Sequence, residues 1–248
     1  MEKMPKKYKY GLIGKHISYS FSKTYFNDKF EKLHLENHEY VNFDLPTIDA
    51  FCNIDLDMVS GFNVTIPYKE QIIKYLDVIA DEAKAIGAVN TIKITKKNQL
   101  IGYNTDFYGF EESIKPLLKP NHTKALVLGT GGASKAIKFV LKKLNIDYLV
   151  VSRNPIKAQI SYQDISEKLI NEYTMIINCT PLGTFPDVDK CPDIPYQYIT
   201  NQHLLYDLIY NPEKTIFLAK GEDKGAIICN GLKMLALQAE KAWAIWNL

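Results

Sequence analysis

The stretch "KALVLGTGGASKAIKFVLKKLNIDYLVVSR", Lys124 to Arg153, decides the fold class. Its opening apolar run, Ala125 to Leu128, has the composition of a strand buried on both faces. A glycine-rich turn follows, then an amphipathic helix, then a second apolar run, "DYLVV". Strand, glycine turn, helix and strand within about 30 residues form a βαβ unit of the dinucleotide-binding type. Gly129 and Gly131 take the first two positions of G-x-G-x-x-G, and Ser134 stands at the third. Glycine permits the tight turn and lets backbone N–H groups approach a pyrophosphate at the helix N-terminus. An NAD site carries an acid about 20 residues on, to hold the ribose 2′-hydroxyl. Here the tip of the second strand reads "SRNPIK", with Ser152, Arg153 and Lys157 and no acid. Cations there suit a 2′-phosphate, so NADP is the expected cofactor. An ordinary βαβ turn with solvated charges is the competing reading.

Outward from this unit, strand and helix patterns alternate along most of the chain, which predicts an α/β fold with largely parallel sheets. Strands are expected at 8–14, 40–45 and 61–66, in "NTIKIT" and "QLIGYN" around the turn "KKNQ", in "TMIINCT" (174–180) and in "HLLYDLIY" (203–210). A helix is expected near Lys23–Leu33. Another is expected through "IIKYLDVIADEAKAIGA", ending at Gly87 as C-cap. The last helix should bury a face formed by Leu232, Leu235, Ala236, Ala239, Trp243 and Trp246. The clearest seam is the Pro-rich "IKPLLKPNHTK" (114–124), and the domain boundary is expected close to Asp106–Tyr108 or at this seam. Two domains are expected, 1–107 and, from 108, a Rossmann-type domain for NADP.

The composition suits a globular protein of 248 residues, 46% apolar and 23% charged. Thirty Lys and Arg against 28 Asp and Glu leave a net charge of +2, too small to suggest nucleic acid or an anionic membrane as partner. The four cysteines are scattered without a C-x-x-C pair, and the histidines show no ligand spacing, so reduced thiols and no metal are expected. No apolar run approaches the roughly 20 residues of a membrane span, and the N-terminus does not read as a signal peptide. A cytoplasmic protein acting on a small molecule, as monomer or homodimer, is the expectation.

The segment "GFNVTIPYKE", Gly61 to Glu70, places Asn63, Thr65 and Lys69 around a strand end where packing alone would favour apolar residues. Asp106 follows another strand, in "GYNTDFYG". Reduction of a carbonyl by hydride requires a proton donor for the developing alkoxide, which a lysine can supply. A neighbouring carboxylate would fix the ammonium group. From spacing alone, an exposed turn lysine and an Asn-Thr-Asp turn are the competing readings of these residues. Tyr210 and Lys214 have the Y-x-x-x-K spacing of short-chain dehydrogenases, but Pro212 between them rules out the shared helical face that pair needs.

The motifs "GLIGKHISYSFS", "GFNVTIPYKE", "AIGAVNT", "GYNTDFYG", "LVLGTGGASKA", "NCTPLGT", "DLIYNP" and "NGLKMLALQAEKAW" occur in the order seen in shikimate dehydrogenases, and the chain resembles that family over nearly its whole length. The resemblance implies NADPH-dependent, reversible reduction of 3-dehydroshikimate to shikimate. It implies Lys69 as general acid in reduction and base in oxidation, with Asp106 binding the substrate hydroxyl and orienting Lys69. Ser20 and Ser22 match the serines that hold the substrate carboxylate. Thr65, Asn90 and Gln238 match residues that bind the ring hydroxyls, and Tyr210 a tyrosine that helps hold the substrate. Gly129, Gly131, Gly132, Ala133 and Ser134 match the phosphate turn, and Ser152, Arg153, Asn154 and Lys157 the stretch that discriminates NADP. Thr180 and Gly231 are expected near the nicotinamide half.

The chain departs from the family pattern in several places. Tyr19, Phe21 and Lys23 replace common residues of the serine loop. Ser152 stands for the usual Asn, Lys157 for the usual Arg, and Lys233 for a common glycine. A lysine lacks the planar fork of arginine, so a weaker NADP preference is expected. Two other functions fit less well: a quinate/shikimate dehydrogenase of broader specificity, and a catalytically silent dinucleotide-binding regulator, which would have no need of both Lys69 and Asp106.

Overall fold

The computed structural model describes residues 8–17 and 20–248. Two compact units divide the chain, Met1–Thr105 with Ala239–Leu248, and Asp106–Gln238.

The first unit is built on a mixed sheet. Its strands are β1 (Tyr8–Gly14), β2 (His38–Asp44), β3 (Gly61–Val64), β4 (Val78–Ile79), β5 (Thr91–Ile94) and β6 (Leu100–Tyr103), in the order β2-β1-β3-β5-β6-β4. β2, β1 and β3 run parallel, whereas β5 pairs antiparallel with both β3 and β6. Alternation along the strands feeds two cores. Ile13, Phe62, Val64 and Ile92 enter one, with Ile72 and Ala83. Tyr10, Leu12 and Tyr40 enter the other, against Phe26 and Phe30 of α1 (Phe21–Lys32) and Ala239, Ala242 and Trp246 near the C-terminus. The Trp246 indole donates to the Ile92 carbonyl at 3.0 Å, and a side chain on Gly61 would lie 2.4 Å from that indole.

The helix expected through residues 72–88 is not continuous. A 3₁₀ turn, Gln71–Tyr75, leads into β4, and only α2 (Asp81–Ile86) is α-helical, with Gly87 as its left-handed cap at φ 71°. The sheet edge captures the middle of the segment. Asp77 N–H donates to the Leu100 carbonyl at 3.0 Å, its carboxylate accepts from Leu100 N–H at 2.7 Å, and Val78 registers with Ile101. Two consecutive β-branched residues, Val78 and Ile79, suit that pairing.

The second unit holds α3 (Asp106–Ile114), β7 (Lys124–Leu128), α4 (Gly132–Lys143), β8 (Asp147–Val151), β9 (Gln159–Ile160), α5 (Glu167–Glu172), β10 (Met175–Asn178), β11 (Leu204–Asp207), α6 (Ile216–Glu222), β12 (Ile227–Cys229) and the first part of α7 (Leu232–Trp246). All six strands are parallel, in the order β12-β11-β10-β7-β8-β9. Counted from β7 and read from the opposite edge this is 3-2-1-4-5-6, the doubly wound dinucleotide-binding order, with its switch point between β7 and β10. Alternate residues fill two cores: Ala125, Val127, Met175, Ile177 and Tyr206 on one face, Leu126, Leu128, Ile176 and Leu205 on the other. Each of these fully buried aliphatic side chains larger than alanine contributes about 1.5–3 kcal/mol.

The buried stripe of α7 differs from expectation. Leu232 is 43% exposed, and the line of burial runs through Met234, Gln238, Ala239, Ala242, Ile245 and Trp246. Within the second unit α7 is seated on α3: a side chain on Gly109 would meet the Met234 carbonyl at 2.5 Å. That backbone approach turns Met234 and Gln238 inward and Leu232 out. The four cysteines are free thiols. No helix of the described residues is long and apolar enough to cross a membrane.

Candidate active site

In the first unit the predicted site residues gather at the C-terminal ends of β1 and β3 and the start of β5. Thr65, one residue beyond β3, donates its N–H to the Ile13 carbonyl at 2.8 Å, and a side chain on Gly14 would lie 2.6 Å from its methyl group. Lys69 is half-buried, and its carbonyl accepts from Val89 N–H at 2.8 Å, next to Asn90 in the chain. The Ile66–Pro67 peptide is cis.

Beneath these lies a line of buried polar side chains. The Asn90 carbonyl oxygen accepts from Thr105 N–H at 2.6 Å and from the Thr91 hydroxyl at 3.1 Å, and its amide donates to the Thr105 hydroxyl at 3.1 Å. The Asn63 amide donates to the Asn90 backbone carbonyl at 3.3 Å and to Thr91 Oγ1 at 3.2 Å. Its carbonyl oxygen accepts from the Tyr40 hydroxyl at 2.8 Å. Ser22 reaches the same phenol, which burial pushes above its ordinary range and the Ser22 contact pulls back. Ser20 is the N-cap of α1, accepting from Lys23 N–H at 3.3 Å. Both serines are therefore fixed at the start of one helix. Phe21 between them stacks on Tyr25 at 5.5 Å, and Lys23 is exposed. Tyr19 lies outside the described residues.

Tyr40, Thr91 and Thr105 complete this layer with Asn63, and no motif in the sequence marks their supporting role. For Asn63 and Thr91 the sequence signal is polarity at a strand position beside an apolar neighbour, and Tyr40 and Thr105 carry none. Asn63 in the wholly buried "GFNV" is the clearest case.

In the second unit Asp106 opens α3 and is 7% exposed, and Gln238 on α7 is 8% exposed. A side chain on Gly109 would touch the Gln238 Cβ at 3.2 Å, so the two helices that carry Asp106 and Gln238 pack backbone to backbone.

The glycine turn fits a dinucleotide. Gly129 adopts φ 101°, where a side chain would press on Thr180 Cγ2 at 3.0 Å and on the Cys179 backbone at 3.3 Å. At Gly131 and Gly132 a Cβ would meet nothing within 4 Å. This open surface at the α4 N-terminus suits phosphate oxygens. Ala133 lies in the first turn of α4. Ser134 is fully buried and donates its hydroxyl to the Gly131 carbonyl at 2.7 Å, closing the turn from within. At the tip of β8 the Ser152 hydroxyl accepts from Asn154 N–H at 3.2 Å, and Arg153 and Lys157 are exposed.

Thr180 donates both its N–H, at 3.0 Å, and its hydroxyl, at 2.6 Å, to the Asn178 side-chain oxygen. Tyr210 follows β11 outside any helix, and Lys214 pairs with Glu222 at 2.7 Å. That excludes the Tyr–Lys pair of short-chain dehydrogenases. Gly231 approaches the chain closely: a side chain there would lie 2.1 Å from the Leu208 carbonyl. Lys233 is exposed. Asp207 carried no expectation, yet it is fully buried and accepts three hydrogen bonds, from Thr215 at 2.6 Å and from Asn178 and Ile209 N–H at 3.0 Å each. Among the described residues no group of three or more His, Cys, Asp or Glu side chains could hold a metal ion.

A doubly wound parallel sheet with this turn at its switch point defines a Rossmann-type dinucleotide-binding protein. A family model described as the shikimate dehydrogenase substrate binding domain matches residues 12–92. The chain is 38% identical to the shikimate dehydrogenase (NADP(+)) of Clostridium botulinum, over 97% of both chains. It is 39% identical to that of Methanococcus aeolicus, over 96% of this chain and 91% of the relative. Shikimate 5-dehydrogenase of Thermus thermophilus, solved in complex with NADP(H) and shikimate, superposes with a TM-score of 0.84 at 30% identity, covering 96% of this chain and 92% of that one. The chain belongs to the shikimate dehydrogenase family.

Proposed function

We propose that the protein is an NADP-dependent shikimate dehydrogenase that interconverts 3-dehydroshikimate and shikimate. The full-length relation to shikimate dehydrogenases, 97% of both chains at 38% identity, carries this reading. The site chemistry agrees with it. Ser20 and Ser22, at the start of one helix, offer hydroxyl donors to a carboxylate. Thr65, Asn90 and Gln238 offer donors and acceptors to ring hydroxyls, and Tyr210 helps hold the substrate. The Asn90 amide is held by Thr105 and Thr91, so its orientation is set before substrate arrives.

Bound NADPH supplies the hydride. Lys69 gives a proton to the carbonyl oxygen as it becomes a hydroxyl, and takes that proton back in oxidation. Asp106 binds the same hydroxyl and keeps Lys69 oriented. Gly129, Gly131, Gly132 and Ala133 present backbone to the pyrophosphate, with Ser134 bracing the turn. Ser152, Arg153, Asn154 and Lys157 receive the 2′-phosphate. Thr180 and Gly231 border the nicotinamide half. The substrate-binding domain is taken as 1–107 with the helix from 231, and the NADP-binding domain as 108–230. The protein works in the cytoplasm, as monomer or homodimer, with no nucleic-acid partner.

The test is oxidation of shikimate by NADP⁺, followed as NADPH absorbance, beside quinate and beside NAD⁺. The expected result is turnover of shikimate with a clear preference for NADP⁺. Turnover of quinate at an equal rate would replace this reading by the broader activity, and absence of turnover with bound NADP⁺ would replace it by a silent dinucleotide-binding protein.

A further inference from the structure

Asp207 is a buried carboxylate whose hydrogen-bond partners are an amide, a hydroxyl and a backbone N–H, all neutral. An ionised carboxylate accepts and cannot donate, and here each partner donates to it. Burying such a group without a cation is costly, and an apolar residue would serve packing at least as well.

Its three donors come from three separate segments. Asn178 stands opposite Asp207 in the β10–β11 register and holds Thr180 by two hydrogen bonds. Ile209 N–H immediately precedes Tyr210. Thr215 is the N-cap of α6, where its hydroxyl also accepts from Leu218 N–H at 3.4 Å. Two backbone bonds knit the same walls, Leu208 N–H to the Asn178 carbonyl at 3.0 Å and Phe185 N–H to the Asn211 carbonyl at 3.1 Å.

We propose that Asp207 is a positioning residue for cofactor binding: acting through Asn178, it holds Thr180 in place. The inference rests on the assignment of Thr180 to the nicotinamide half of the site.

Protonation would change the arrangement: the carboxylic acid donates through the oxygen that now accepts from Thr215, so the Thr215 hydroxyl must turn round and accept. Burial raises the Asp207 carboxyl from 3.8 to about 6, against the hydrogen bonds from Thr215, Ile209 and Asn178. The ionisable groups that feel its charge are Cys179, on the turn after β10, and Tyr196, on the 3₁₀ turn Tyr196–Tyr198. Burial pushes both upward, so both stay neutral between about pH 5 and 8. Asp207 is thus the member of this group that changes charge in that range.

The experiment measures the NADPH dissociation constant by fluorescence titration from pH 5 to 8, with no substrate, for the wild type, Asp207→Asn, Thr215→Val and Thr215→Ser. Thermal melting is recorded for each. The wild-type constant should rise below pH 6. Asp207→Asn should bind about tenfold more weakly at pH 7, the effect of one lost buried hydrogen bond, and should show a smaller acid-side rise than the wild type, the remainder coming from protonation of the ligand's own 2′-phosphate. Thr215→Ser should bind as the wild type and Thr215→Val as Asp207→Asn. A merely structural carboxylate would lower the melting temperature and leave the dissociation constants alone.

Wild-type affinity in folded Asp207→Asn, or an unchanged acid-side loss in that variant, would overturn the proposal. Should Asp207→Asn not fold, equal affinity in the two Thr215 variants would overturn it. Failure of the wild type to turn over shikimate would instead count against the assigned function, and leaves the binding comparison standing as a separate result.

Discussion

At the scale of single residues, the proposed ligand contacts rest on buried polar groups: Asn90 is held by Thr105 and Thr91, and Thr180 by Asn178. Lys69 and Asp106 stand beside strand ends in short polar motifs. Asn63, Thr105 and Asp207 gain meaning only from partners 27, 15 and 8 positions away, distances that no local pattern encodes. Asp207 also has a consequence for stability. Its carboxyl is raised in the folded protein, so its contribution is fully present below about pH 4 and is lost as the pH rises through about 6. A shift of about two units corresponds to about 3 kcal/mol. Urea unfolding at about pH 4.5 and 7.5 should therefore show Asp207→Asn gaining on the wild type as the pH rises, by up to about that amount. A difference independent of pH would contradict the burial argument. At the β8 tip, Arg153→Ala with Lys157→Ala should raise the KM for NADPH and leave that for NADH nearly unchanged. Equal losses with both cofactors would place the 2′-phosphate elsewhere.

At the scale of elements, long runs with a clear period declared themselves and short or captured ones did not. β7, α4 and β8 follow their pattern closely. β9 and β12 have two and three residues, too few to show any period. The segment 72–88 carries helical spacing, yet pairing with β6 overrides it between Asp77 and Ala80. On α7 the stripe was drawn around Leu232, because the approach of α3 at Gly109 cannot be seen in composition. That approach is testable. Gly109→Ala places a methyl group 2.5 Å from the Met234 carbonyl. The strain should cost about 1–3 kcal/mol in denaturant unfolding. It should also lower kcat, since α3 carries Asp106 and α7 carries Gln238. Unaltered stability and turnover would mean that the helices separate without consequence.

At the scale of the whole molecule, the βαβ stretch and the alternation of strand and helix patterns around it predict the parallel sheet and its cofactor class, because the glycine turn, buried strands and helix period agree with each other. The mixed sheet of the first unit was harder to read, since β5 and β6 reverse direction within a parallel pattern. Carbonyl reduction with Lys69 as proton donor is the activity these two folds are proposed to support. The most direct measurement is NADPH consumption on addition of 3-dehydroshikimate, with wild type and Lys69→Ala side by side and NADPH binding measured for both. The wild type should consume NADPH rapidly, and the variant should fall by roughly 10²–10⁴-fold with NADPH affinity retained. Near-normal turnover by Lys69→Ala would contradict that role.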